Sequence, residues 1–150
     1  MIRITAKNAA KQDFMSLMRQ LVRTYQAFAA FDAASYRNMD LTVSQADVIF
    51  TLGNTAGLTF KDIGAQTLIT KGTLTGVIDR LENKGLVKRI DTAEDRRCTQ
   101  VVLTAKGKRM FGEVFPKHVA RLRTRFDRLT VAERRDAQIL LVKLQTIFSS

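Results

Sequence analysis

The residues with chemistry to offer gather between Thr59 and Leu103. One stretch runs Thr70-Lys71-Gly72-Thr73-Leu74-Thr75-Gly76-Val77-Ile78-Asp79-Arg80-Leu81. Leu74, Val77, Ile78 and Leu81 fall at i, i+3, i+4 and i+7, the spacing of one buried helical face. Gly72, Gly76, Asp79 and Asn83 then lie opposite, flanked by Thr73, Thr75 and Arg80. A glycine inside a helix costs about 1 kcal/mol against alanine. Two on one face imply a backbone that closely approaches another surface, or else a tolerated weak helix. Thr70 and Lys71 stand at the helix start, where free N–H groups and the dipole attract phosphate. Thr73 and Thr75 can meet base edges through hydroxyl or methyl groups. Arg80 can fork onto a guanine, reach a phosphate, or pair locally with Asp79 or Glu82. This is the chemistry of polyanion recognition rather than of bond-making.

A second candidate follows in the polar run Asp91 to Cys98. Arg96 and Arg97 stand at its centre and suit insertion into a narrow minor groove, with Asp95 near enough to steady one of them. A solvated charged turn is the plainer alternative. Residues 84–109 hold 8 Lys/Arg and 3 Asp/Glu, while residues 59–83 hold 3 of each. Positioning contacts to phosphate therefore belong to the second segment, and reading to the neutral helix. Lys117, Arg121, Arg123, Arg125 and Arg128, with Arg134 and Arg135, form a further basic cluster. It reads as a solvated helix face, a flanking backbone contact, or a partner for acids on another subunit.

The elements that position these residues are mostly helical. A long helix is predicted over about 8–37, with Phe14, Leu17, Met18, Leu21, Val22, Tyr25, Phe28 and Ala29 on one face. Ser44, with Asp47 three residues on, reads as the cap of a helix ending near Gly53. Thr59 and Asp62 open a short helix, and Thr70 opens the next, with Gly85 just past its end. Segments 86–90 and 99–103 are β-branched and read as two strands of a hairpin, with 91–98 as its loop. Thr104 starts a long helix that Pro116 should kink or interrupt. Thr130 and Glu133 cap a last helix, striped by Ala137, Leu140, Leu141, Leu144, Ile147 and Phe148. The class is mainly α with a small β-hairpin. Short helix, turn, helix and hairpin in that order make a winged helix–turn–helix, whose second helix suits the DNA major groove. The terminal helices either pack on the core or build an interface between two copies.

The whole chain supports this and removes rivals. It has 150 residues, a formal net charge of +11 and 45% hydrophobic residues, so it is one basic globular domain. One Cys and one His exclude a disulfide framework and a zinc finger, and no metal or cofactor is expected. No Ser/His/Asp set or phosphate loop marks an enzyme. No apolar run suits a membrane span and the N-terminus lacks a signal-peptide core, so a cytoplasmic protein without membrane contact is expected. An RNA-binding protein is disfavoured by the lack of an aromatic RNP-type strand.

The runs Thr59-Phe60-Lys61-Asp62-Ile63-Gly64, Lys71-Gly72-Thr73-Leu74-Thr75 and Asp79-Arg80-Leu81-Glu82-Asn83-Lys84-Gly85-Leu86-Val87-Lys88-Arg89 resemble the MarR family of multiple-antibiotic-resistance regulators. Asp95, Arg97, Leu103 and Thr104 meet that family's wing pattern. The resemblance implies one domain over 1–150, with a DNA-binding lobe near 41–104 and dimerisation helices near 8–37 and 105–150. It implies a homodimer on a pseudo-palindromic operator, commonly a repressor released by a small aromatic or phenolic ligand or by cysteine oxidation. Arg97 matches the wing arginine, and Asp95 the acid that steadies it. A family-type ligand pocket would draw on Phe28, Phe31, Tyr36, Met39, Phe50, Phe111 and Phe115. The chain departs from the pattern at Thr67 and Leu68, where the family often has an apolar residue and Gly, and at Gly72 and Gly76. Its only Cys is Cys98, beside the wing arginines, and reads as a redox-sensitive thiol or an incidental strand residue. A constitutive or architectural DNA-binding protein is the alternative to a ligand-released repressor.

Overall fold

The computed structural model describes residues 3–67, 69–92 and 95–149, with the side chains of 92 and 95–98 outside that description. The N-terminal segment makes a single 3-10 turn, Ala9–Lys11, and α1 begins only at Met15, running to Tyr36. The helix expected from residue 8 is cut short by turn chemistry. The Asn8 side chain accepts from the Thr5 N–H at 2.7 Å and donates to the Arg3 carbonyl at 3.1 Å. Side-chain bonds of that kind compete with the helix ladder.

Helix α2 spans Val43–Leu52, and its cap is Thr42 rather than Ser44. Thr42 Oγ1 accepts the Gln45 N–H, and Gln45 Oε1 accepts the Thr42 N–H, both at 3.2 Å. This reciprocal pair satisfies two otherwise unpaired donors, which leaves Ser44 inside the helix. Helix α3 (Phe60–Thr67) opens as expected, with the Asp62 N–H on Thr59 Oγ1 at 3.2 Å. Helix α4 spans Lys71–Asn83. It ends in a turn where Gly85 takes φ 69°, the Gly85 N–H bonds Glu82 O at 2.8 Å and the Leu86 N–H bonds Leu81 O at 3.0 Å. Glycine takes that left-handed backbone without the Cβ crowding most residues meet there.

Among the described residues the sheet has three strands, not two. Strand β1 (Leu58–Thr59) pairs with β3 (Asp95–Leu103), which pairs with β2 (Val87–Thr92), all antiparallel, in the order β1-β3-β2. Two residues are too few to show a period, so β1 left no pattern in the sequence. The hairpin loop is also shorter than expected. Pairing continues from Val87↔Leu103 through Asp91↔Thr99 to Thr92↔Asp95, with an irregularity between Asp91 and Thr92. Backbone pairing continues there without an apolar face to reveal it.

Helix α5 (Ala105–Phe126) runs through Pro116 without interruption. Proline removes one ladder bond and its ring crowds the carbonyl four residues back, here that of Gly112. Val114 and His118 are buried on either side of it and hold the helix in place. Helix α6 (Val131–Ser149) carries the expected capping box, with the Glu133 N–H on Thr130 Oγ1 at 3.2 Å and the Thr130 N–H on Glu133 Oε2 at 2.7 Å.

The core joins α2, α3, α4 and the sheet. Ile49, Leu52, Ile63, Leu74, Ile78, Leu81, Leu86 and Val101 are buried there, with Phe50, Phe60, Met110 and Phe111 packed around them. The terminal helices contrast sharply. No described residue of α6 is buried, and Leu140 is 61% and Leu141 56% exposed. In α1 only Ser35 and Tyr36 are buried, and Leu17, Met18, Val22 and Phe28 face outward. Packing on their own chain's core does not account for these stripes.

Candidate nucleic-acid interface

Helix α4 presents the two faces its spacing requires. Leu74, Val77, Ile78 and Leu81 are buried, while Lys71, Gly72, Thr73, Thr75, Asp79, Arg80 and Asn83 are exposed and Gly76 is half-buried. The exposed face is small in profile. A Cβ built on Gly72 would meet no heavy atom within 4 Å, and one on Gly76 would meet only the Arg80 guanidinium, at 3.3 Å. Packing within the chain therefore demands neither glycine. Thr70 takes the extended backbone of a cap, but its hydroxyl bonds Thr73 Oγ1 at 3.0 Å rather than a backbone N–H. The first turn is left without a side-chain cap and offers its donors outward.

Arg80 folds along its own helix, with Nε donating to the Gly76 carbonyl at 2.9 Å. It does not pair with Asp79 or Glu82. Both belong to Arg89 on β2, a residue the sequence reading did not single out. Arg89 bonds Asp79 Oδ1 at 2.6 Å and Glu82 Oε2 through its other terminal nitrogen, and its backbone N–H reaches Glu82 Oε1 at 3.3 Å. Its guanidinium also lies 5.4 Å from the centre of the Phe60 ring. These partners raise the Arg89 pKa further above its ordinary value, the hydrogen bond to Asp79 first. The available signal was an arginine just past a helix-ending glycine, within reach of two acids one turn apart.

The turn after α4 is stapled to the start of α5. Three successive carbonyls accept from it: Lys84 from Lys106 Nζ at 2.8 Å, Gly85 from Thr104 Oγ1 at 2.6 Å, and Leu86 from the Thr104 N–H at 3.1 Å. Lys84 Nζ reaches the other way, to the carbonyl and carboxylate of Asp40, the latter at 3.1 Å. Asp40 has φ 51°, a left-handed conformation that Asp tolerates.

In the hairpin, Thr99 Oγ1 bonds Asp91 Oδ1 at 3.4 Å. The backbone of Asp95, Arg96, Arg97 and Cys98 belongs to β3, so the arginines stand on a strand arm rather than in a loop. Their side chains lie outside the described residues, as does Leu68.

Of the seven residues proposed for a pocket, four come together. Tyr36 and Phe50 pack on His118, with ring centres 5.3 and 5.2 Å away, and Phe115 links Phe50 to Phe111 at 5.0 Å on each side. The structure places the other three elsewhere. Phe28 is exposed, and Phe31 lies beneath Arg121 and Arg125 at 4.5 and 5.0 Å. Met39 lines a separate groove of about 530 Å³ with Met110, Val114, Lys106, Arg109 and Lys117. The aromatic cluster holds a polar centre. The Tyr36 hydroxyl lies 3.1 Å from Asp32 Oδ1 and 3.3 Å from both ring nitrogens of His118. Burial pushes the Tyr36 hydroxyl well above its usual range and pulls the imidazole below its own, against the opposing charge of Asp32. Burial also raises the Asp47 carboxyl, and Asp32 adds to that shift. In the second basic cluster, Arg123 and Arg134 pair with Asp127 at 3.1 and 3.0 Å and hold its carboxyl below the usual range.

Comparisons with known proteins fall on this same assembly. The MarR family profile matches residues 39–97, which take in α2, α3, α4 and the wing up to Arg97. The uncharacterized HTH-type transcriptional regulator YfiV of Bacillus subtilis is 31% identical over 103 residues, 69% of this chain and 64% of YfiV, so the chain spans just under two thirds of that relative. The uncharacterized HTH-type transcriptional regulator YkoM of the same organism is 26% identical over 149 residues, 99% of this chain and 96% of YkoM. Among solved structures, BpsR of Bordetella bronchiseptica, whose DNA binding is regulated by 6-hydroxynicotinic acid, superposes with a TM-score of 0.74 at 28% identity, covering 87% of this chain and 98% of that one. The helix–turn–helix and wing described above and these matches agree along the sequence: residues 39–97 match the MarR family, and the chain is similar to HTH-type transcriptional regulators along its length.

Proposed function

We propose that the chain is a sequence-specific, homodimeric DNA-binding regulator in which α4 enters the major groove and the wing rests on adjacent backbone or minor groove. The observation that carries this is the outer face of α4. It is exposed and slim at Gly72 and Gly76, polar at Thr73 and Thr75, and held on a helix whose other face is wholly buried. Thr70 and Lys71 receive a phosphate at the helix start, and Arg80 extends the contact. Arg96 and Arg97 supply the wing contact, with Asp95 steadying them. Residues 41–104 form the reading lobe, and the helices within 8–37 and 105–150 form the dimer. The uncovered apolar stripes of α1 and α6 support that division.

The chain works as a repressor that a small aromatic ligand releases. The aromatic cluster around His118, at the junction of α1, α2 and α5, supports this reading, as does the regulation of BpsR by an aromatic acid. The ligand would act by favouring the spacing of the two α4 helices that misfits the operator. The test is fluorescence anisotropy on duplex DNA obtained by site selection, against a scrambled duplex, near physiological salt. A preference of about a thousandfold, saturating at one dimer per site, is expected. Equal and steeply salt-dependent binding to both duplexes would refute specific reading and favour an architectural role. Preference that no aromatic acid or phenol alters would favour constitutive binding.

A further inference from the structure

The two parts proposed to touch DNA, α4 and the wing, are bridged at the surface by the Arg89 guanidinium. Strand β2 is an edge strand with β3 on one side only. From that edge Arg89 reaches back to Asp79 and Glu82, three residues apart on α4, and lies over Phe60 at the start of α3. A planar guanidinium can serve two carboxylates and an aromatic face at once, which a lysine ammonium cannot. Asp79 shares the outer side of α4 with Gly72 and Gly76, where an unpaired carboxylate would repel phosphate. The charges within α4 cancel, Lys71 and Arg80 against Asp79 and Glu82. Arg89 therefore tips this surface to a net positive charge.

We infer that Arg89 is a positioning residue for DNA reading: it sets the angle between α4 and the wing and masks the two acids of the reading helix. The inference rests on the DNA-reading role proposed above. Ion pairs that keep about a third or more of their side-chain surface in solvent contribute modest stability, so the effect belongs to binding selectivity more than to folding.

The experiment compares wild type, Arg89→Ala, Arg89→Lys and the double variant Asp79→Asn/Glu82→Gln on a selected and a scrambled duplex across a salt series. Arg89→Ala should weaken binding to the selected duplex about tenfold or more. It should weaken the scrambled duplex far less, with the salt slope little changed, and Arg89→Lys should restore part of the loss. The double variant removes two negative charges, so simple electrostatics predicts tighter binding; loss of preference for the selected duplex is the result expected here. Equal weakening on both duplexes, with a salt slope reduced by about one, would mean that Arg89 contacts phosphate directly and would overturn the positioning role. So would unchanged selectivity in a folded Arg89→Ala protein, or tighter selected binding by the double variant. If Arg89→Ala fails to fold, the double variant decides. Wild-type protein that cannot tell the duplexes apart would instead overturn the DNA-reading proposal itself.

Discussion

Gly72 stands in open space on α4, so a methyl group there meets nothing in the chain. Gly72→Ala should therefore raise stability by about 0.5–1 kcal/mol through helix propensity alone. If the helix backbone approaches DNA closely, the same methyl should weaken operator binding. Thermal unfolding and anisotropy on one variant check both, and a gain in stability with unchanged affinity would show that the glycine only weakens the helix. His118 supports a second prediction. Burial holds its imidazole below the ordinary value of 6.5, so below that value the unfolded chain binds protons that the native state refuses. The contribution to stability is full above pH 6.5 and is lost as pH falls through the lowered native value. Asp47, raised by burial, contributes the opposite slope. The comparison is therefore made against His118→Gln, whose stability should fall less steeply than that of wild type from about pH 7.5 to 5.5. Parallel curves would show that the imidazole titrates as it does in the unfolded chain.

No described residue of helix α6 is fully buried in its own chain, although the helix carries a continuous apolar stripe. Truncation after Arg128 should therefore leave a monomer or an insoluble protein, measured by light scattering after size exclusion; a stable truncated dimer would remove α6 from the interface. At this scale the sequence was informative wherever a pattern had length. The 3.6-residue period placed α4 and its buried face correctly, and the Thr59–Asp62 and Thr130–Glu133 caps held. It failed where a short-range signal met a stronger neighbour. Ser44 lost to Thr42 because Gln45 could reciprocate the bond, and of the kink or interruption expected at Pro116 the interruption does not occur, in a helix buried on either side of it. Strand β1 was too short for any period. Arg89 was missed for another reason: its partners lie seven and ten residues away on a different element, and composition shows the charges without their pairing.

The whole molecule carries +11, and two copies double it. Association with any duplex should accelerate at low salt, and affinity should fall linearly in logarithm with salt. The slope, divided by about 0.9, counts the phosphates the bound protein neutralises. Similar slopes on selected and scrambled duplexes would assign the charge to positioning and the discrimination to α4. A selected duplex with a much larger slope would assign specificity to extra phosphate contacts instead.

The staple at Lys84, Gly85 and Leu86 has a mechanical meaning. It fastens the far end of α4 to the start of α5, and Lys84 ties the same point to Asp40 at the end of the α1 arm. The opposite end, at Lys71, has no such staple among the described residues and rests on the packing of Leu74 in the core. Thirteen residues of helix make a lever of about 20 Å. A rotation of about 10° at the fastened end carries the tip roughly 3 Å, close to the rise of one base pair. A shift too small to disturb packing at the fulcrum can thus move the reading tip by a whole step of the DNA ladder, out of register with its site.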